Sequence, residues 1–407
     1  MWTTVILLFS AMAIYEFVVR FLAYKSQGLP VPANLRGIYD SETYSKRSAY
    51  GKEKLRLITI EHVCVSLVTL AFLLSNIHSV LFYHIGQFTS NMYLQALFML
   101  GVVILISQVI KTVFAAAQTF KVEAKYGFNK SSARTFVSDR IREFLIMHVG
   151  LFLGMVTLFL FLHNLLGDAV FVAFFFIFVL LEIVLRAFTV FFMGGKHKPL
   201  EDGPFKEKVK ALLVKAEYPV DRIFVSDDSK RTSKPNAGCI GFGKSRAVLV
   251  GDNFFDSERY GEDDVLSAIA HEIGHAKGYH VLWSIPLRLV MWVVLVVMAY
   301  FVVNSGAVST AFGFAELNIA FGVYVLLIFF KPVWLLFDIP MNAQSHAHEF
   351  AADSFEARMV GKRAAISSKK KGARDNFENL TPHPFVALVI NTHPSLARRI
   401  ANIERSV

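Results

Sequence analysis

The chain has 407 residues, 54% of them hydrophobic and only 18% charged, with a formal net charge of +10. A soluble protein of this length carries about a quarter charged residues, so a single water-surrounded core is excluded. The positive balance suits loops that flank membrane spans better than a nucleic-acid surface, and the only cysteines, Cys64 and Cys239, exclude a disulfide framework.

The apolar residues fall in seven runs, at 2–24, 57–85, 92–120, 144–166, 169–193, 281–303 and 317–339. Each reaches the roughly 20 residues of helix that cross a bilayer. The first run lacks the basic start and small-residue end of a cleavable signal and is expected to stay as a span. Lys25, Arg36, Lys46, Arg47, Lys52, Lys54 and Arg56 fill the first connection, and Lys121, Lys125, Lys130, Arg134, Arg140 and Arg142 the third. The connection 195–280 is also basic, whereas 87–91, 167–168 and 305–316 contain no Lys or Arg. The positive-inside rule then predicts a non-cytosolic N-terminus, with 195–280 and the C-terminus cytosolic. Glu61, His62, Lys111, His148, Glu182, Arg186, Arg288 and Lys331 lie inside spans. Glu182 and Arg186 have the spacing of an ion pair. The whole set implies either a wet interior or pairing between helices.

The remaining segments are short. Residues 203–220 predict an amphipathic helix ended by Pro219, and 222–227 and 246–252 predict strands. "SKPNAGCIGFGK" between them can supply an exposed edge strand. After the last span, 343–361 is a helix candidate, 366–376 a loop with a solvated lysine run at 369–371, and 392–407 a helix. The chain thus divides into spans one to five (1–194), a cytosolic insertion (195–280), spans six and seven (281–340) and a C-terminal part (341–407).

"AHEIGHAKG" at 270–278 carries the chemistry. Asp263 and Asp264 can cap a helix that ends near Gly278. On it His271 and His275 are one turn apart and can share a metal ion. Glu272, rotated by about 100°, can act as a base on water without ligating the ion. With 13 histidines, chance yields such a motif in about one or two chains per hundred. A catalytic zinc needs a third protein ligand and an open position. Glu349 is the best candidate, with His346 and His348 as competitors. Asp353, four residues after Glu349, can hold a ligating histidine. Asn236 can clamp the backbone of a peptide added as a strand, or simply follow a turn proline. His393 can stabilise an oxyanion. Arg398 or Arg399 can orient Glu349 or a substrate carboxylate.

Together these stretches resemble the type I CAAX prenyl proteases, integral-membrane zinc metalloproteases of the endoplasmic reticulum. The likeness covers nearly the whole chain: the spans, "YGFNKSS" (126–132), the asparagine-alanine before a strand, H-E-x-x-H before span six, E-x-x-x-D after span seven, and a late His-Pro followed by arginine. It implies an all-α polytopic fold whose seven helices enclose a large chamber, with a small α+β cytosolic cap. It implies one zinc ion on His271, His275 and Glu349, with Glu272 as base. Asp353, Asn236, His393 and, better than Arg398, Arg399 match the other site positions. It also implies farnesylated or geranylgeranylated CAAX substrates met at a lipid membrane, loss of their last three residues and, in some members, a second upstream cut. Two rivals remain. A HtpX-like quality-control protease would share the ligands without a prenyl requirement. A scaffold with a structural metal would have no use for Glu272.

Overall fold

A computed structural model describes residues 1–75, 77–187, 197–241, 246–256 and 258–406. The first membrane helices are α1 (Trp2–Lys25), α2 (Ser41–Leu74), α3 (Ile77–Phe88) and α4 (Met92–Ala117). The last of these widens into π-helix over Gln118–Glu123. α5 (Ala133–Glu143) continues through a π-helical stretch, Phe144–Leu153, into α6 (Gly154–Leu166), and α7 (Ala169–Ala187) follows. Polar side chains start these helices. Asp40 accepts from the Thr43 N–H at 2.7 Å and Ser132 from the Thr135 N–H at 3.1 Å, satisfying N–H groups that the first turn leaves open.

The expected count of seven spans is not matched in full among the described residues. Among the described residues, six helices are long and apolar enough to cross a membrane, and α7 is a shorter apolar helix. Residues 188–193 of the fifth expected span lie outside the described residues. The second expected span, 57–85, is also broken. α2 ends at Leu74, with Ser75 extended, and α3 begins at Ile77.

The cap follows. β1 (Lys198–Pro199), α8 (Pro204–Lys215), β2 (Ile223–Ser226), β3 (Ala237–Ile240) and β4 (Ala247–Gly251) lead into α9 (Glu262–Lys277). The sheet order is β1-β2-β4-β3. β2 and β4 are parallel, with Ile223 opposite Val248, and β3 runs antiparallel to β4, with Ala237 opposite Val250. β3 is therefore an edge strand, as expected from "NAGCI". Val209, Leu213, Val248, Val250, Ile269 and Ile273 form the buried core between sheet and helices.

The chain re-enters the apolar layer through α10 (His280–Trp283) and α11 (Ile285–Val303). Pro286 sits in the first turn of α11, where its missing N–H costs nothing. After α12 (Gly306–Ala311), α13 runs unbroken for 42 residues, Ile319–Val360, past Pro332 and Pro340. The last span and the E-x-x-x-D segment are thus one continuous helix. Gly322 lets α13 press against α11, since a Cβ there would stand 2.8 Å from Val303 Cα. The chain ends in α14 (Lys362–Asp375), α15 (Pro384–Val389) and α16 (Leu396–Arg405).

The expected loop 366–376 is corrected, because most of it is α14. Ala365 and Ala373 lie on its buried face. The lysines that suggested a solvated loop find acids instead: Lys369 meets Asp353 and Glu356, and Lys371 meets Asp264.

The charges inside the bundle pair with one another, and several of them border a cavity. Glu16 meets His62 Nδ1 at 3.1 Å and Lys331 Nζ at 2.7 Å. Glu182 faces Arg288 at 3.4 Å, while the Arg186 side chain lies outside the described residues. A cavity of about 900 Å³ bordered by Glu16, Arg20, Arg288 and Lys331 extends to His275 and His280.

Candidate metal centre

Two helices build the centre. α9 begins with Asp264 accepting from the Gly261 N–H at 2.9 Å, so the cap is one of the two aspartates expected and Gly261 is the boundary residue. Its middle packs on α13. A Cβ at Gly274 would stand 3.0 Å from Ala352 Cα and 3.2 Å from Phe355 Cβ. The glycine inside "HEIGH" thus sets the helix separation that lets a α13 carboxylate reach the two histidines.

Those groups converge. His271 Nε2 and His275 Nε2 are 3.1 Å apart. Glu349 Oε2 lies 3.4 Å from His271 Nε2, and its Oε1 lies 3.2 Å from His275 Nε2. All three residues offer one ligand atom within a mutual 4.8 Å. Glu349 is 4% exposed. Two imidazoles and a carboxylate directed at one point are the donor set of a catalytic zinc, so the residues present fit such an ion.

The Nδ1 side of His271 faces a different group. Asp353 Oδ1 is 3.1 Å away and Glu356 Oε2 3.4 Å. These three could also gather around a cation, but a cation is already there. Lys369 Nζ sits 2.8 Å from Asp353 and 2.6 Å from Glu356. Burial and the Lys369 ammonium oppose a charge on His271. The carboxylates of Asp353, Glu349 and Glu356 outweigh both, and its pKa is raised to about 9. A carboxylate at Nδ1 fixes the proton there and leaves Nε2 free for a metal.

Of the other expected residues, Arg399 and His393 contact this group, whereas Arg398 does not. Arg399 holds Asp353 with two hydrogen bonds, Nε to Oδ2 at 2.9 Å and Nη2 to Oδ1 at 2.6 Å. Its Nη2 also lies 2.9 Å from Glu349 Oε2. Arg398 turns away and stacks on Phe350, 5.4 Å from the ring centre. His393 Nε2 is 3.2 Å from Glu349 Oε1, and its side chain is exposed. Burial raises the Glu272 pKa, against the pull of His271 and His275. Asn236 is exposed at the head of β3, and its carbonyl accepts from the Gly251 N–H at 2.8 Å. β3 itself lies beside α9, close enough that Glu272 raises the Cys239 thiol pKa further, after burial.

Neither competing histidine joins the cluster. His346 Nε2 contacts the Asn391 carbonyl at 2.8 Å. His348 stacks on His280 with parallel rings 4.2 Å apart. Sequence reasoning missed Glu356, Ser267, Lys369 and His280. Glu356 lies seven residues after Glu349, hence on the same helix face, and that spacing was a usable signal. Ser267 donates to Glu356 Oε1 at 2.6 Å. His280 Nδ1 is 2.9 Å from His275 Nδ1. No local signal marks Lys369, because its partners are distant in sequence.

The chain matches the family described as CAAX prenyl protease N-terminal, five membrane helices, over residues 20–193, and peptidase family M48 over 199–407. It is 26% identical to CAAX prenyl protease 1 homolog of Oryza sativa subsp. japonica, over 97% of this chain and 95% of that protein. It is 24% identical to CAAX prenyl protease 1 of Saccharomyces cerevisiae, over 92% of this chain and 88% of that one. The crystal structure of S. mikatae Ste24p superposes with a TM-score of 0.89 at 21% identity, covering 98% of this chain and 99% of that one. The fold is therefore that of a polytopic α-helical membrane protein with a small α+β cap.

Proposed function

We infer the activity from family membership: the chain belongs to peptidase family M48, within its type I CAAX prenyl proteases. The enzyme is a metallopeptidase of the membrane. Its substrates are prenylated CAAX proteins, farnesylated or geranylgeranylated, and it releases their C-terminal tripeptide. The metal is zinc. The observation that carries this reading is the convergence of His271, His275 and Glu349 beside Glu272 and an edge strand.

Bound by these three residues, zinc supplies a Lewis acid that polarises the scissile carbonyl and acidifies water. The chain's own groups do the rest. Glu272 takes the proton of the attacking water and returns it to the departing amine, and its raised pKa suits both roles. β3 offers its free edge to the peptide backbone, with Asn236 at the entrance. His393 faces the reacting carbonyl as an oxyanion donor. Asp353 and Arg399 act through others: Asp353 orients His271, and Arg399 holds Asp353 and Glu349. The proposed four-part division at 194, 280 and 340 sorts these groups by segment of the chain, although α13 runs unbroken across the last of its boundaries. By the family resemblance the membrane is that of the endoplasmic reticulum; the loop charges favour catalytic segments on its cytosolic side and a lumenal N-terminus.

The test is cleavage of a farnesylated CAAX peptide and its unprenylated twin by the purified full chain, with and without chelator. Glu272→Gln should lower kcat at least a hundredfold with zinc content unchanged. Retained activity in that variant would sink the mechanism. Equal cleavage of both peptides would favour the quality-control rival.

A further inference from the structure

We propose that Arg47 forms a subsite for the free C-terminal carboxylate of the peptide being cleaved. This rests on the reading of the chain as a protease that releases a C-terminal tripeptide. A cavity of about 720 Å³ adjoins the metal centre, with His393 and Arg399 in its wall and Arg47 of α2 also lining it. An extended tripeptide spans about 10 Å. A carboxylate three residues beyond the scissile bond is thus carried out of the metal centre into a neighbouring space of this kind.

Arg47 is only 1% exposed. Its Nη2 donates to Gln27 Oε1, a neutral acceptor, at 2.5 Å. Its Nε and Nη1 are buried without any partner. A buried guanidinium with open donors is costly until an anion completes it. Its coplanar N–H groups match the two oxygens of a carboxylate.

The other cations on this wall are already engaged. Lys54 and Lys234 face Glu123 at 3.3 and 3.9 Å, and Arg399 is held by Asp353 and Glu349. In the 900 Å³ cavity Arg20 and Lys331 share Glu16, and Arg288 faces Glu182. Among the described residues no carboxylate forms an ion pair with Arg47. Glu378 also lines this cavity but is exposed and forms no ion pair with Arg47.

The test compares one farnesylated CAAX peptide as the free acid and as the C-terminal amide. Wild type should prefer the acid by roughly ten- to a hundredfold in kcat/KM, the discrimination of a charge-assisted hydrogen bond. Arg47→Gln should lower cleavage of the acid, leave the amide within about twofold, and so collapse the ratio. Bound zinc per chain and the thermal midpoint report whether that variant folds. Should it not fold, Gln27→Glu keeps the guanidinium, gives it an internal anion and should reduce the ratio in the same way. Equal use of acid and amide by wild type overturns the proposal alone. A ratio that survives in a folded Arg47→Gln chain, with both peptides slowed together, reduces Arg47 to a structural role and also overturns it. Cleavage of neither peptide by wild type overturns the prenyl-protease reading, and the subsite falls with it.

Discussion

Replacing Lys369 by methionine removes a buried cation from between two buried carboxylates. Lys369 Nζ lies 2.8 Å from Asp353 and 2.6 Å from Glu356, and these side chains are 11%, 0% and 1% exposed. Breaking a buried pair by removing one partner costs about 3–5 kcal/mol. The loss should not fall equally on the two acids. Asp353 keeps its two hydrogen bonds from Arg399. Glu356 keeps only the Ser267 hydroxyl at 2.6 Å and His271 Nδ1 at 3.4 Å. Most of the penalty therefore comes from stranding Glu356, and the double variant Lys369→Met with Glu356→Leu should recover about 2 kcal/mol or more of it. Thermal unfolding of the detergent-purified chain and its variants gives the four corners of the cycle. Zinc affinity, by competition with a chromogenic chelator, should fall about ten- to a hundredfold in the single variant, because the group that orients His271 is disturbed. If the losses in the two single variants simply add in the double variant, Lys369 and Glu356 are not coupled and the account of this network is wrong.

The remaining predictions concern the helix contact and the proton at the centre. Gly274→Ala puts a methyl group 3.0 Å from Ala352 Cα and should cost about 1–3 kcal/mol by overpacking, with weaker zinc retention because α9 and α13 are pushed apart; unchanged zinc affinity would refute the role given to this glycine. Zinc affinity should also depend on pH through His271. Its folded pKa of about 9 exceeds the ordinary 6.5, so the bound proton stabilises the metal-free fold fully below about pH 6.5 and ceases to do so as pH rises through about 9. Zinc must displace that proton, so affinity should climb roughly tenfold per pH unit from about 6.5 to 9. A flat profile across that window, read by chelator competition, would refute the assignment.

Much of the architecture was legible because membrane physics writes itself locally. A run such as 92–120 must satisfy its own backbone hydrogen bonds in lipid and therefore reads as helix from hydropathy alone. The same logic misjudged 57–85, where α2 and α3 are separate helices with Ser75 extended between them, because hydropathy does not register a break in direction within an apolar run. The candidate metal ligands on α9 were legible because the chemistry demands one helix face, and Glu349 because an acid four residues before another marks a face.

What the sequence by itself determined is the set of reactive groups and the elements that carry them: two histidines and a base on one helix, a carboxylate on another, and a strand beside them. What only the tertiary structure decided is how those elements meet. Span seven and the third-ligand segment proved to be one 42-residue helix, so the centre is anchored directly to the bundle. Lysines 369 to 371 looked solvated because a charge run ordinarily seeks water. Lys369 instead completes a buried network with residues 13 and 16 positions earlier on another helix, Glu356 and Asp353. Arg47, more than 300 residues before Arg399, lines the same cavity. The physical reason is common to both. A charge is kept out of water only when partners from elsewhere in the chain compensate it, and that information exists only once the chain has folded.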